Sequence, residues 1–346
     1  MYKKFFMGIA AIAALTLVSC SSDDLNSLSD NSSKNEAISF DGYLGRSAVA
    51  VNGSRGSVLD NTTLPSKGFG VFGNYTSTKT EDVAFGPNLF NNVKVTGTTS
   101  AGGTTWTYSP KKYWPTEGHI DFLAYAPHVA DKTLTGSSSI EFTVAEDVTK
   151  QEDLLWAKAE KQTKEANSGA NKVKFTFNHA LAKIGYSLKQ KADYDNTTIT
   201  VTSIKLVGSD PKGGAFYKKG TINLSEANES KNLWTPDESV AKQNFDWLSS
   251  NSVLTTKVAN SDNYLFVIPQ NFPESATNKL SVVVNYTVQT DGTEALKNEV
   301  TKPITANFLQ GKAYMINLII GLTPIEFDAT VEDWKDGATI PEIPLN

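Results

Sequence analysis

Thr198-Ile199-Thr200-Val201-Thr202-Ser203-Ile204-Lys205-Leu206-Val207 is the stretch on which the fold assignment turns. β-Branched residues dominate it, and apolar side chains recur beside hydroxyl and charged ones at the spacing that sends neighbours to opposite faces of an extended chain. A strand follows. Outward in both directions from Ala37 onward the same signal recurs: runs of Val, Ile, Phe, Tyr and Thr, alternating or continuously apolar, bounded by Gly, Asn, Asp, Ser and Pro. The clearest are Ile38–Tyr43, Gly68–Tyr75, Ile120–Tyr125, Ser139–Val144, Val173–Phe177, Ala182–Leu188, Tyr264–Ile268, Leu280–Gln289, Ala313–Leu322 and Ile325–Val331. Many short strands at regular spacing predict an all-β chain of sandwich domains. Gln151–Ala166 carries good helix formers but also Leu154-Leu155-Trp156 side by side. It reads as a short strand entering a polar loop, with a surface helix as the alternative. Asn167-Ser168-Gly169-Ala170-Asn171 is the best candidate linker.

Composition narrows the function. The formal charge of -5 and pI near 5.4 are mild, and no stretch concentrates lysine beside exposed aromatics, so the footprint of a nucleic-acid binder is missing. The N-terminus fixes the expected compartment. Lys3 and Lys4 precede an apolar run, Phe5–Val18, that is short for a membrane span and ends in Leu17-Val18-Ser19-Cys20. That ending matches a lipobox. Cys20 is the single cysteine in the chain, so no internal disulfide can form, and thioether-linked lipid with palmitate-type acylation gives it a purpose. Asp23-Asp24 resembles a surface-export signal of Bacteroidales-type lipoproteins, although a solvated linker would look the same.

The expected organisation is a signal peptide over 1–19, a flexible tether over 20–36, an N-terminal sandwich over 37–170 and a C-terminal sandwich over 171–346. Ser21–Asn35 has hardly any large apolar group with which to offset its ordering entropy. The remainder is the length of two ordinary domains.

Several stretches together resemble the Bacteroidales-type fimbrillins, the Fim and Mfa pilins and their relatives. They are Gly68-Phe69-Gly70-Val71-Phe72, Tyr113-Trp114-Pro115, Ile120–Pro127, Asp153–Ala157, Phe175–Ile184, Tyr264–Gln270, Gly311-Lys312-Ala313-Tyr314 and Val331-Glu332-Asp333-Trp334. Order and spacing carry the match. The resemblance implies two tandem transthyretin-like β-sandwiches in a fimbrial subunit supporting adhesion. Its partners would be copies of itself or related subunits, the outer membrane through the Cys20 lipid, and host or bacterial surface receptors. It also implies that an arginine-specific protease releases the first strand and that a neighbour's strand fills the vacancy. Of the 32 basic residues only Arg46 and Arg55 are arginine, and both fall between the first strand and the Gly68 strand. Arg55 is the better placed candidate. Losing Ile38–Tyr43 would remove Ile38, Phe40 and Tyr43 and bare an edge that invites strand addition. Ile325, Phe327, Ala329 and Val331, within the 323–334 segment, are the candidate donor residues; the alternative is that they form the last strand of their own domain.

Catalytic patterns are missing. His119, His128 and His179 are too few and too scattered for a metal site, no GxSxG elbow surrounds Ser187, and Asp121, Glu141, Glu152 and Asp153 cannot be paired from sequence. No enzyme activity and no cofactor are expected. Gly102-Gly103 and Gly213-Gly214 read as turns. Trp106, Tyr108, Tyr113 and Trp114 form a dense aromatic cluster, expected in core or hinge packing, with sugar stacking on a non-polymerising surface lipoprotein as the second reading.

Overall fold

A computed structural model describes residues 36–44, 58–77, 84–167, 172–209, 213–226, 233–248, 250–261, 264–323 and 328–333. The first strands in chain order are β1 (Ser39–Leu44), β2 (Phe69–Thr76), β3 (Phe90–Ser100), β4 (Gly103–Thr107), β5 (His119–Ala126), β6 (Leu134–Thr135), β7 (Ser139–Thr143), β8 (Leu155–Gln162) and β9 (Lys172–His179). Next come β10 (Ala182–Gln190), β11 (Thr197–Gly208), β12 (Lys219–Asn223), β13 (Trp234–Pro236), β14 (Phe245–Leu248), β15 (Ser252–Val253) and β16 (Ala259–Asn260). The last are β17 (Leu265–Val267), β18 (Gln270–Phe272), β19 (Leu280–Thr290), β20 (Leu296–Ile304), β21 (Ala306–Phe308), β22 (Ala313–Ile320) and β23 (Asp328–Asp333). The protein is all-β. Helix is confined, among the described residues, to one α-turn, Leu64–Lys67, and one 3-10 turn, Val148–Lys150.

The first sheet has seven strands in the order β1-β9-β8-β5-β2-β3-β4. It bends until its outer strands meet: a Cβ placed at Gly42 on β1 would lie 3.6 Å from the Trp106 ring on β4. Inside the bend sit Phe69, Phe90, Phe122, Phe175 and Phe177, all buried. Strand β2 is buried on both faces, since Phe69 and Val71 enter this core while Phe72 enters the other. That accounts for its continuous apolar run. At Gly70 a Cβ would fall 2.5 Å from the Tyr125 ring, so only glycine lets that tyrosine close over the strand.

The second core lies between the sheets β16-β10-β22-β23 and β14-β11-β19-β20. Tyr186 on β10 meets Trp247 on β14 edge to face, with centroids 4.8 Å apart. In β11 the inward phase changes from Ile199 and Val201 to Ile204 and Leu206, because the pairing with β19 shifts between Val201 and Ser203. The extra residue is a bulge.

The boundary expected after residue 170 falls inside the first sheet. Strand β9 pairs antiparallel with β8 and parallel with β1, so the polar stretch around Asn167 connects two strands of one sheet and is not an interdomain linker. The chain leaves that sheet at Ala180-Leu181. A further sheet, β13-β12-β7-β6, joins β7 from the first half to β12 from the second, with Ile140 opposite Ile222. The Gln151–Ala166 segment contains strand β8 and no helix among its described residues.

Candidate functional site

Strand β1 is the element on which an assembly role would rest, and its sequence explains how it sits. Ile38, Phe40 and Leu44 point inward at 0%, 2% and 5% exposure, with Gly42 in phase between them. Tyr43, expected among the inward residues, is instead 45% exposed, and its hydroxyl accepts a hydrogen bond from Thr176. The period of two started by Ile38 and Phe40 continues through position 44, leaving position 43 on the outer face.

Phe40 is the hub of the seat. Its ring centroid lies 5.5 Å from Phe90, 5.5 Å from Phe122, 5.7 Å from Phe175 and 5.3 Å from Tyr108. Beside Gly42 the space is closed, because a Cβ there would be 3.2 Å from both Phe177 and Phe69. Only the far edges of rings stand in the way.

The backbone of β1 is held on two sides. The ladder to β9 is parallel, running from Ser39 opposite Lys172 to Leu44 opposite Phe177. At the opposite side of its start, Ile38 N–H donates to the Lys112 carbonyl at 2.8 Å, Trp114 N–H donates to the Glu36 carbonyl at 3.0 Å, and the Tyr108 hydroxyl donates to the Ile38 carbonyl at 2.7 Å. The aromatic cluster read from the sequence therefore lines this seat. Tyr108 and Trp114 are buried, Trp106 packs on Phe69, and Tyr113 alone is 51% exposed, so the four present no joint stacking platform.

Burying Ile38, Phe40 and Leu44 is worth ~1.5–3 kcal/mol each, and their sum is an upper figure because the unfolded chain is itself partly collapsed. That sum is comparable with the whole net stability of a domain, about 5–15 kcal/mol. In the intact chain β1 thus covers the rings of Phe90, Phe122 and Phe175 and pairs with the edge of β9.

The connection after β1 comes back beside it. Leu44 N–H donates to Asn61 Oδ1 at 2.8 Å, so the end of β1 lies against the described residues that follow the connection. Just past the return, Leu59 N–H donates to Asp153 Oδ2 at 3.2 Å, and the same oxygen is 2.7 Å from His179 Nδ1. Burial pushes the His179 imidazole down, but the charge and hydrogen bond of Asp153 outweigh it and hold the group above the ordinary histidine range. This pair pins the chain to the end of β9.

Arg46 and Arg55 fall in the 45–57 connection, outside the described residues, as do Cys20, Ile325 and Phe327. Ala329 and Val331 lie on β23, which pairs antiparallel with β22, opposite Leu318 and Ile316 respectively. The other carboxylates considered above are dispersed: Asp121 accepts from Lys161 N–H, Glu141 pairs with Lys219 and Glu152 with Lys67. No cluster of metal-ligating side chains occurs among the described residues.

Fold and seat together define a class: a β-protein of several sheets whose opening strand completes an aromatic core from its edge. The family model of fimbrillin-like proteins matches residues 57–334, and the chain belongs to that family. No curated protein matches it. Among solved structures it is similar to a fimbrial protein from Bacteroides vulgatus, at 24% identity and a TM-score of 0.66, covering 86% of this chain and 98% of the other. It is also similar to a candidate cell adhesion protein from Bacteroides uniformis, at 17% identity and a TM-score of 0.52, covering 88% of this chain and 100% of the other. These likenesses are of fold.

Proposed function

We propose that the chain is a non-enzymatic structural subunit of cell-surface fimbriae. It is exported as a lipoprotein acylated on Cys20, cut at Arg55 or Arg46, and polymerised by donor-strand exchange to support adhesion at the outer surface. The reading of its two cores as tandem transthyretin-like sandwiches belongs to the same proposal. One observation carries it: the opening segment Ile38–Leu44, which contains β1, supplies three buried core residues from the edge of its sheet, and the chain's only arginines follow directly in the connection behind it. Cutting there makes β1 a separate peptide held without a covalent bond. Its loss exposes ring surface and backbone groups that another strand can satisfy. Since groove and donor lie at different places on each subunit, the contact is head to tail and builds a filament.

The test is to treat the purified precursor with an arginine-specific protease and to follow it by electron microscopy and N-terminal sequencing. Filaments whose subunits begin at Gly56 or Ser47 are expected. A cut product that stays monomeric, or filaments whose subunits still begin at Cys20, would sink the proposal.

A further inference from the structure

A cleft of about 420 Å³ opens in the second half of the chain, and none of its lining residues belongs to the β1 seat or to the Trp106–Trp114 cluster. Four segments wall it: the chain ahead of β12, the β13–β14 connection, β18, and the loop between β18 and β19. We infer that this cleft binds a neutral hexose unit of a glycan, with the Tyr217 ring against the sugar and the Gln270 amide on its hydroxyl groups.

The cleft is built before any ligand arrives. Ala215 N–H donates to Asn244 Oδ1 at 3.0 Å, Phe216 N–H donates to the Gln243 carbonyl at 2.9 Å, and Gln243 N–H donates back to the Phe216 carbonyl at 2.8 Å. From the far wall Asn278 Nδ2 donates to the Gly214 carbonyl at 3.1 Å. Beneath lies Phe272, 5% exposed, with its ring centroid 5.4 Å from Phe216 and 6.1 Å from Phe308. Walls tied in this way keep their shape, so little ordering is left for a ligand to impose.

The chemistry of the lining selects the class. Gln270 Nε2 is enclosed and has no hydrogen-bond partner among the described residues. An amide nitrogen carries two N–H donors, and leaving buried donors unmade is costly, so a ligand that brings acceptors recovers what the fold gives up. Charge is balanced at the opposite wall. The Tyr217 hydroxyl donates to Glu238 Oε1 at 2.8 Å while Lys242 Nζ stands 4.2 Å from the ring centroid, so one carboxylate and one ammonium meet on one side chain. An anion finds no net field there, and a neutral ligand needs none. The remaining polar side chains of the lining are amides, which both donate and accept as sugar hydroxyls do. Lys242 hangs on a flexible stem and can swing off the ring, leaving it to the C–H face of a sugar.

The same lining speaks against an extended peptide. Strand β18 has a free edge, since it pairs with β21 alone, but Pro269 and Pro273 bracket it and neither has an N–H with which to lengthen a ladder.

The experiment is saturation-transfer difference NMR on the purified precursor with lactose, maltose, cellobiose and mannobiose, beside anionic sialyllactose and a hexapeptide of alternating Thr and Val. Transfer to at least one of the four neutral sugars is expected. Gln270→Ala and Tyr217→Ala should each weaken that affinity about tenfold, the loss of one buried contact. Tyr217→Phe, which keeps the ring, and Lys297→Ala on the exposed face of β20 should both stay within about twofold of the parent. Silence from all four sugars, or transfer undiminished in Gln270→Ala and Tyr217→Ala, would overturn the site. A loss in Tyr217→Phe as large as in Tyr217→Ala would overturn the role of the ring. Tighter binding of sialyllactose than of lactose would overturn the neutral class, and a response to the peptide alone would give the cleft to a strand. Filament formation uses no residue of the cleft, so these results and those on strand exchange stand apart.

Discussion

Replacing Phe40 by alanine in the uncut chain removes the central ring of the first core. Phe40 is 2% exposed and touches four rings at centroid distances between 5.3 and 5.7 Å, with Phe69 farther off at 6.5 Å. Truncating a buried phenylalanine costs ~3–5 kcal/mol, combining lost transfer energy with the cavity left behind. The rings around the site come from β2, β3, β5 and β9 and are tied to their own strands, so the hole collapses poorly and the upper half of that range applies. With a urea m-value of about 2–3 kcal/mol per molar, the unfolding midpoint of the first core should fall by roughly 1.3–2.5 M. Tyr43→Ala is the internal control: the side chain is 45% exposed and its hydrogen bond to Thr176 faces solvent, so less than about 1 kcal/mol is expected. The assay is equilibrium urea unfolding of the precursor, followed by tryptophan fluorescence. Equal losses for the two variants would refute the placement of Phe40 at the centre of the seat. After proteolysis and assembly the Phe40→Ala deficit should vanish, because the strand that carries it has gone.

Arg46→Lys combined with Arg55→Lys should leave the precursor intact under an arginine-specific protease, with either single variant still cut at the remaining arginine; intact-mass spectrometry reads the outcome. Tyr108→Phe deletes the buried hydrogen bond to the Ile38 carbonyl and should lower precursor stability by about 1 kcal/mol in the same urea assay, well short of the Phe40→Ala loss. His179 is held above its ordinary value of 6.5 by Asp153, so its pairing contributes fully below that value and is lost as pH rises through the folded value. Thermal melts between pH 5 and 9 (roughly the histidine range) should therefore show a decline with rising pH that His179→Gln flattens; an unchanged profile would remove the role given to the pair.

Much of the fold was legible in local pattern. Alternation in β11 and β19, and the continuous apolar run of β2, are properties of a strand's own residues once both or one of its faces is covered. Strands β3, β4 and β20 escaped because most of their side chains face solvent: Asn91, Thr98, Thr99 and Ser100 in β3 and Lys297, Glu299 and Thr301 in β20 carry no apolar stripe. Their places in the sheets come from neighbours. The seat for β1 was visible only in part, as a dense aromatic stretch around Trp106 and Trp114 whose partner lies far away in the chain.

By itself the sequence determined that the chain is made of strands and that its only arginines sit behind the first of them. Those are facts of composition and period, and they need no partner. Tertiary structure alone decided that β1 runs parallel to β9, that β7 crosses to β12, and that the polar stretch near Asn167 connects strands of a single sheet. A strand's pattern says which face it hides but not which distant strand will supply its hydrogen bonds, and that choice is settled only when the rings of Phe40, Phe122 and Phe175 close on one another.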